Sequence, residues 1–338
     1  MVFDNVSIAG LGCLDAPHRI TSLQLEDRLA STLRRLKMPG KILTALTGIE
    51  VRRFWDEGVQ PSEVASKAAV RAIEDSGIDR SRLGALINTS VCRDFIEPST
   101  ACLVHGSLGL SPTCINFDLG NACLGFINGM DLIGNMIERG QIDCGIVVDG
   151  ESSRPVVDRT IERLLRPDAD GDTFRSSLAT LTLGSGAAAM VLARSDLVPN
   201  GHRYLGGVSL AATEHRDLCR GQVDMMTTDA KALLDAGIAL ARKTWALAQE
   251  KLGWSSDSLD EAVMHQVSKI HSELVARACN IDLGKVFNIY PEYGNVGPAS
   301  VPIVLHKSHQ AGRIKKGDRV ALMGIGSGLN CSMAEIVW

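Results

Sequence analysis

The stretch "CINFDLGNACLGFINGMDLIGNMIERG", residues 114–140, decides the fold. It has the order of a short apolar strand, a turn of glycine and asparagine, and a helix that ends at a glycine. The same order returns in "VFNIYPEYGNVGPASVPIVLHKSHQAG", residues 286–312. When Gly140 is matched to Gly312, Cys123 lies opposite Asn295. The sequence therefore predicts two copies of one β-α-β unit, about 170 residues apart.

Other segments pair in the same way. The matched strands are "NVSIAGLG" with "YLGGVSLA", "LGALINTS" with "LDEAVMHQ", and "CGIVVDGE" with "RVALMGIG". Two matched helices, 61–77 and 229–253, end at glycines that are typical C-caps. Strands that alternate with helices indicate an α/β fold whose sheets are covered on both faces.

The repeat divides the chain into an N-terminal half, 1–195, and a C-terminal half, 196–338. Residues about 152–180 have no counterpart in the second half, and their charged, helical pattern predicts an insert over a site or an interface. The run 176–193 is uncharged, but its central "GSG" favours two strand-like pieces over a membrane helix.

Composition excludes several classes of protein. The 338 residues carry a formal net charge of −4, without the basic patch of a nucleic-acid binder. The N-terminal "MVFDNVSIAGLG" lacks the basic segment that opens a signal peptide. We expect a cytoplasmic protein that is not an integral membrane protein. The nine cysteines form no C-x-x-C pair and no zinc-site spacing, so no metal is expected.

Three residues on turns are candidates for catalysis. Cys123 follows a strand and opens a helix, and helix N-terminal N–H groups lower the pKa of a thiol. A free cysteine is more often a small buried hydrophobe, so both readings stay open. His265 ends the strand "EAVMHQV" and Asn295 lies in "EYGNVGPAS", where each has an ordinary structural explanation. Together the three side chains have the chemistry that acyl transfer requires. A cysteine attacks the acyl carbonyl, while histidine and asparagine donate hydrogen bonds to an enolate oxygen.

The glycine-rich turn "MGIGSGLN" lies between two strands near the C-terminus. Backbone N–H groups near Ser327 would form half of an oxyanion hole. A phosphate loop or a plain hairpin is the alternative.

The motifs "NACLGF", "HQV", "GNVGPASVP" and "GIGSGLN" resemble those of thiolase-fold condensing enzymes of the ketoacyl-synthase III type, over residues 2–338. The resemblance implies a five-layered α-β-α-β-α thiolase fold built from duplicated halves, and an obligate homodimer. It also implies that Cys123 is the nucleophile, that His265 and Asn295 are its partners, and that the N–H groups of Cys123 and Ser327 form the oxyanion hole.

One position departs from the synthase III pattern. In "RDFIEPSTA", Glu97 stands where those enzymes usually carry an apolar residue. A solvated charge near a helix start is the structural explanation. The resemblance, however, implies that this loop enters the partner's pocket, where a desolvated carboxylate has a raised pKa and serves as a general base.

A base is needed when a carbanion is made from an acyl-CoA without loss of CO₂. The sequence thus most resembles the OleA branch, which begins olefin and β-lactone biosynthesis. This implies a non-decarboxylative Claisen condensation of two long-chain fatty acyl-CoAs, through an acyl-Cys intermediate, to a 2-alkyl-3-ketoalkanoic acid. CoA thioesters are the substrates, no other cofactor is expected, and downstream pathway enzymes are possible partners. The alternatives are a synthase III that uses malonyl-thioester, a hydroxymethylglutaryl-CoA synthase-like enzyme, and a non-catalytic acyl-binding homologue.

Overall fold

The computed structural model of the protein describes residues 2–338. The strands of the first half are β1 (Val6–Asp15), β2 (His18–Thr21), β3 (Val51–Phe54), β4 (Ala85–Asn88), β5 (Ile115–Asp118), β6 (Cys144–Glu151) and β7 (Gly186–Arg194). Its helices are α1 (Ser22–Arg28), α2 (Ala30–Arg35), α3 (Ile42–Thr47), α4 (Pro61–Ser76), α5 (Thr100–Leu108), α6 (Gly125–Glu138), α7 (Arg154–Leu164) and α8 (Gly171–Ser177).

The second half repeats the pattern with fewer elements. Its strands are β8 (His202–Ala211), β9 (Cys219–Gly221), β10 (Met226–Thr228), β11 (Glu261–Met264), β12 (Arg319–Gly326) and β13 (Asn330–Val337). Its helices are α9 (Ala230–Leu252), α10 (Lys269–Ala278), α11 (Tyr290–Tyr293) and α12 (Ser300–Gln310). The strand matches read from the sequence fall on β1 with β8, β4 with β11, and β6 with β12.

One nine-stranded sheet runs through both halves in the order β11-β12-β13-β8-β1-β7-β6-β4-β5. The halves join where β1 and β8 pair antiparallel, with Ser7 opposite Arg203. All strands on one side of this join come from the first half, and all strands on the other side come from the second. The order of the strands in the sheet therefore agrees with the duplication that the sequence predicts.

Two helices lie between the halves. Helix α6 contacts β6, β7 and β8, and α12 contacts β1, β7, β11 and β12. Helix α6 buries Phe126, Met130, Ile133 and Ile137, at the spacing of one helical face. Helices α4 and α5 cover the outer face of the first half, while α9 and α10 cover that of the second. The result is the predicted five-layered α-β-α-β-α arrangement.

The insert near 152–180 is helical, as its pattern predicts, and consists mainly of α7 and α8. It packs on α1, α2 and α3, which the sequence analysis did not identify. Thr32 donates a hydrogen bond to the carbonyl of Leu164 at 2.7 Å. The shared apolar cluster includes Leu25, Leu29, Leu33, Val157, Ile161, Leu164 and Phe174. Nowhere in residues 2–338 is there a helix long and apolar enough to cross a membrane.

Two strand predictions are wrong. The apolar run that opens 286–312 forms no strand, because the side chain of Gln266 takes the place of a neighbouring strand. Gln266 donates to the carbonyl of Phe287 at 2.7 Å and accepts the N–H of Ile289 at 2.8 Å. The first part of 176–193 is helical, since Leu178 and Leu181 pack into the apolar cluster of the insert.

Candidate active site

Cys123 lies in a 3₁₀ turn, Ala122–Leu124, between β5 and the start of α6. Ala122 has φ +44°, a left-handed conformation that costs a residue with a Cβ about 1–2 kcal/mol. Gly125 opens α6 so close to the end of β4 that an added Cβ would lie 2.8 Å from the carbonyl oxygen of Thr89. The nucleophile candidate is therefore held on a strained turn that is pressed against the sheet.

His265 follows β11 and is 3% exposed. Its backbone N–H donates to the carbonyl of Met323 on β12 at 2.8 Å, which fixes the residue at the carboxyl end of the sheet. Its Nε2 lies 3.2 Å from Oδ1 of Asn295, and its buried Nδ1 has no hydrogen-bond partner among the described residues 2–338.

The orientation of Asn295 follows from its other contacts. Its Oδ1 also accepts the N–H of Gly297 at 3.0 Å, so this atom is an acceptor. His265 must then carry its proton on Nε2 and donate to Oδ1. The Nδ2 group of Asn295 keeps its hydrogens for another acceptor. With its oxygen held by His265 and Gly297, Asn295 thus presents its Nδ2 hydrogens as donors of the kind that stabilise an enolate oxygen.

The turn after β12 completes the cluster. A Cβ added to Gly326 would lie 3.4 Å from the backbone nitrogen of Cys123, so Ser327 follows directly on a residue in contact with the nucleophile's turn. The turn of Cys123 also contacts the turn at 297–299, next to Asn295. The structure therefore brings together the turns that carry Cys123, Asn295 and Ser327, with His265 bound to Asn295.

The electrostatics correct one expectation. The pKa of the Cys123 thiol is raised from 9.0 to about 12, first by burial and then by the charge of Glu151. The prediction of a thiol pKa below its usual value is therefore wrong, because burial outweighs the backbone N–H groups that lower it. Burial lowers the pKa of His265 to about 4, so the resting site holds a neutral thiol and a neutral imidazole at pH 7.

Two buried carboxyl groups at the end of β6 were missed as site residues. Glu151 is 5% exposed, and Asp149 is fully buried with Oδ1 unpartnered among residues 2–338. Burial raises the pKa of Glu151 to about 7, and burial and Glu151 raise that of Asp149 further above its usual range. The signal in the sequence was "VVDGE", two acids directly after an apolar run.

Glu97 lies in the loop between β4 and α5 and is exposed within its own chain. No hydrogen bond or ion pair reaches it from residues 2–338. Its neighbours Phe95 and Ile96 are 57% and 90% exposed, which is unusual for such large apolar side chains. Burial of Glu97 stays a prediction that requires a second chain.

An apolar space adjoins His265 and is lined by His271, Met264, Val275 and Met323 among others. It lies between β11, β12 and the helices α9 and α10. No cluster of three or more His, Cys, Asp or Glu side chains suited to a metal is present in the described part of the chain, residues 2–338.

The chain matches two family models. Residues 117–208 match 3-oxoacyl-[acyl-carrier-protein (ACP)] synthase III, and residues 249–338 match its C-terminal model. Among curated proteins, the acyl-CoA:acyl-CoA alkyltransferase of Xanthomonas campestris pv. campestris is 54% identical over 338 residues, with 100% of both chains covered. The acyl-CoA:acyl-CoA alkyltransferase of Shewanella oneidensis is 40% identical over 350 residues, again with 100% of both covered.

Solved structures give the same result. Cerulenin-bound Xanthomonas OleA superimposes with a TM-score of 0.98 at 54% identity and covers 100% of this chain and 98% of that one. A cysteine-to-serine variant of Xanthomonas OleA with bound lauric acid and lauroyl-CoA has a TM-score of 0.97 at 54% identity and covers 99% of this chain and 100% of that one.

Proposed function

The chain belongs to the OleA family of acyl-CoA:acyl-CoA alkyltransferases, condensing enzymes of the synthase III type with the thiolase fold, and on that premise we propose that it condenses two fatty acyl-CoAs head to head. The product is a 2-alkyl-3-ketoalkanoic acid. The observation that carries this proposal is the match over the whole chain to two alkyltransferases. A thioester of lauric acid and CoA, bound to the Xanthomonas relative, supports long-chain acyl-CoA as the substrate class.

The first step loads one acyl chain. The sulfur of Cys123 attacks the thioester carbonyl of the first acyl-CoA, and the backbone N–H groups of Cys123 and Ser327 bind the oxyanion. The C–S bond to CoA breaks, an acyl-Cys thioester remains, and the thiol proton leaves with CoA. Because the thiol is neutral at rest, its proton has to move during the attack.

The second step forms the carbon–carbon bond. Glu97 of the partner subunit removes the α-proton of a second acyl-CoA. The enolate oxygen accepts a hydrogen bond from Asn295 Nδ2 and takes the Nε2–H of His265 in place of Asn295 Oδ1. The α-carbon attacks the acyl-Cys carbonyl, the C–S bond to Cys123 breaks, and the sulfur takes up the proton that Glu97 removed, so both groups return to their starting states. Water then hydrolyses the remaining CoA thioester. The 3.2 Å distance between His265 Nε2 and Asn295 Oδ1 supports this use of the pair, because it places the two N–H-bearing side chains side by side.

Solved variants of the Xanthomonas relative also support the assignment. In that protein one cysteine, one histidine and one glutamate were replaced. Their positions have the same order and the same spacing along the chain as Glu97, Cys123 and His265.

A homodimer is part of the proposal. Val91, Phe95 and Ile96 expose apolar side chains around Glu97, and Ile115 is 48% exposed on β5, the edge strand of the sheet. Exposed apolar patches and open strand edges are typical of surfaces that bind another chain. A second copy that covers this surface would also bury Glu97.

We place the reaction in the cytoplasm, where acyl-CoA is available and thiols stay reduced. All nine cysteines are free, which fits that compartment. The product is a β-keto acid, so an enzyme that reduces its keto group would be a natural downstream partner.

The test supplies one long-chain acyl-CoA without any malonyl donor. We expect CoA release together with a β-keto acid or the ketone formed from it by loss of CO₂, detected by mass spectrometry. Carbon–carbon bond formation only after addition of malonyl-thioester would instead assign a decarboxylating synthase III.

A further inference from the structure

The loop that carries Glu97 is held at its start by Glu151. This side chain accepts the backbone N–H of Val91 at 2.6 Å and that of Cys92 at 3.3 Å. Glu151 is buried at the end of β6, and Trp55 fixes its backbone by donating to its carbonyl at 3.0 Å. Hydrogen bonds from N–H groups to a buried carboxylate are among the stronger ones in proteins.

Two further carboxylates hold the rest of the loop. Asp94 accepts the N–H of Ser62 at 3.0 Å and its hydroxyl at 2.5 Å, which ties the middle of the loop to the start of α4. Asp118 accepts the N–H groups of Thr100 and Ala101 at 3.1 and 2.8 Å, just after Glu97. Residues 95–98 stand exposed between these anchors.

Among the three anchors, Glu151 has a distinct position. Asp94 connects the loop to α4, and Asp118 connects it to β5. Glu151 instead lies at the reaction centre: a Cβ added to Gly297, next to the Asn295 turn, would lie 3.5 Å from its carboxyl carbon. Its charge also acts on the Cys123 thiol.

We propose that Glu151 is a positioning residue that sets the Glu97 loop relative to the reaction centre. This inference rests on the proposed function, because it takes Glu97 as the base. In this proposal the carboxylate of Glu151 acts through the loop backbone and not on an acyl chain. It acts by holding Val91 and Cys92, from which the loop projects toward the second subunit.

Loss of this anchor should affect the two half-reactions differently. Acylation of Cys123 does not use Glu97, whereas removal of the α-proton depends on where Glu97 lies. A misplacement of about 1 Å in a catalytic group can reduce the rate on the order of 100-fold. Glu151→Gln keeps one oxygen that accepts the N–H of Val91, whereas Glu151→Ala removes both acceptors.

The experiment uses the full chain and one long-chain acyl-CoA. Acyl-Cys formation is followed by mass spectrometry of the protein within the first turnover, and condensation is followed by the amount of β-keto acid formed.

We expect Glu151→Ala to lower the rate of condensation at least about tenfold, as for loss of hydrogen bonds to a charged group. The rate of acylation should stay within about threefold of the wild-type rate. Glu151→Gln should recover condensation at least about threefold over Glu151→Ala. Glu261→Gln is the control for a buried carboxylate away from the loop, because Glu261 is 2% exposed on the edge strand β11, where it accepts from Ser308 and pairs with Arg313.

Several results would overturn the inference. Full condensation by Glu151→Ala would show that the anchor is dispensable. Equal losses in acylation and condensation, as a general structural defect produces, would remove the positioning role. Glu151→Gln as inactive as Glu151→Ala would assign the charge itself to the chemistry. Glu97→Gln separates the two proposals: if it condenses normally, the role of Glu97 fails, whereas an inactive Glu97→Gln beside a fully active Glu151→Ala contradicts only this inference.

Discussion

At the scale of single residues, the Cys123 thiol meets two opposing influences. A helix N-terminus favours a thiolate by about 0.3–1 kcal/mol, which is less than the ~1.4 kcal/mol that one pKa unit represents. Burial and the charge of Glu151 act in the other direction and take the pKa from 9.0 to about 12. The effect of burial on the pKa therefore exceeds that of the helix N-terminus, and Cys123 is a thiol rather than a thiolate in the resting site.

The role of Glu97 can be separated from that of Cys123 by replacement. We predict that Glu97→Gln lowers condensation about 100-fold or more, the usual contribution of a general base, because an amide cannot accept the α-proton. Acylation of Cys123 should change little, since it needs no α-proton removal. Single-turnover mass spectrometry for the acyl-enzyme and product analysis for condensation measure the two steps.

Glu250→Gln is the control for this change, because Glu250 is exposed at the far end of α9. It should leave both steps unchanged. A Glu97→Gln protein that cannot be acylated would reassign Glu97 to substrate binding or folding.

His265 also makes stability depend on pH. Its pKa is about 4 in the fold and 6.5 as the ordinary value, so the unfolded chain takes up a proton first as the pH falls from 6.5 to 4. Stability is then lost with acidification, by about 3 kcal/mol in all for this one group. We predict that His265→Asn, which does not titrate, loses about 3 kcal/mol less than the wild type between pH 7 and pH 4. Urea unfolding at the two pH values measures this difference, and equal losses would contradict the neutral, buried imidazole.

At the scale of elements, the start of α6 determines where Cys123 lies. Gly125→Ala would place a Cβ 2.8 Å from the carbonyl oxygen of Thr89, so α6 has to move. We predict a loss of about 1–3 kcal/mol in the free energy of unfolding, as for other overpacked sites, together with slower acylation. Chemical denaturation and the rate of acyl-enzyme formation are the measurements.

Gly237→Ala is the matched control within another helix. An added Cβ at Gly237 in α9 meets only Ile325 at ordinary contact distance, 3.8 Å. Replacing a glycine inside a helix by alanine should stabilise the protein by about 1 kcal/mol. Equal stability of the two variants would mean that the close contact at Gly125 is not a constraint.

Sequence patterns predicted elements well where the backbone alone forms them. The strands β6 and β12 fall on the matched segments, and α4 and α9 end before the glycines Gly77 and Gly253. Prediction failed where a side chain distant in the sequence determines the backbone conformation. At 286–289 the side chain of Gln266 makes the hydrogen bonds that a neighbouring strand would otherwise make, and no strand forms. No local pattern reports such a partner.

The candidate site shows the same division. That Cys123, His265 and Asn295 lie on neighbouring turns could be predicted from the duplication, whereas their catalytic roles stay a proposal. Their protonation states could not be predicted, because burial depends on the packing of both halves. Glu151 was missed as a site residue because its contacts with Val91 and Cys92 join segments about 60 residues apart.

At the scale of the whole molecule, the nine-stranded sheet leaves β5 at one edge, close to the loop that carries Glu97. Buried anchors fix both ends of this loop, while its apolar tip is open to solvent. An ordered loop with an exposed apolar tip fits a surface that another chain covers. The central claim is therefore that each active site takes its base from the other subunit.

Subunit mixing tests that claim most directly. A heterodimer of one Cys123→Ala chain and one Glu97→Gln chain, each inactive as a homodimer, is isolated by two different affinity tags. If Glu97 acts across the interface, one site of the pair holds both Cys123 and Glu97, and condensation should return to roughly half the wild-type rate, as two-fold symmetry requires. If Glu97 acts within its own chain, neither site is complete. A heterodimer as inactive as the two parent homodimers would contradict the account.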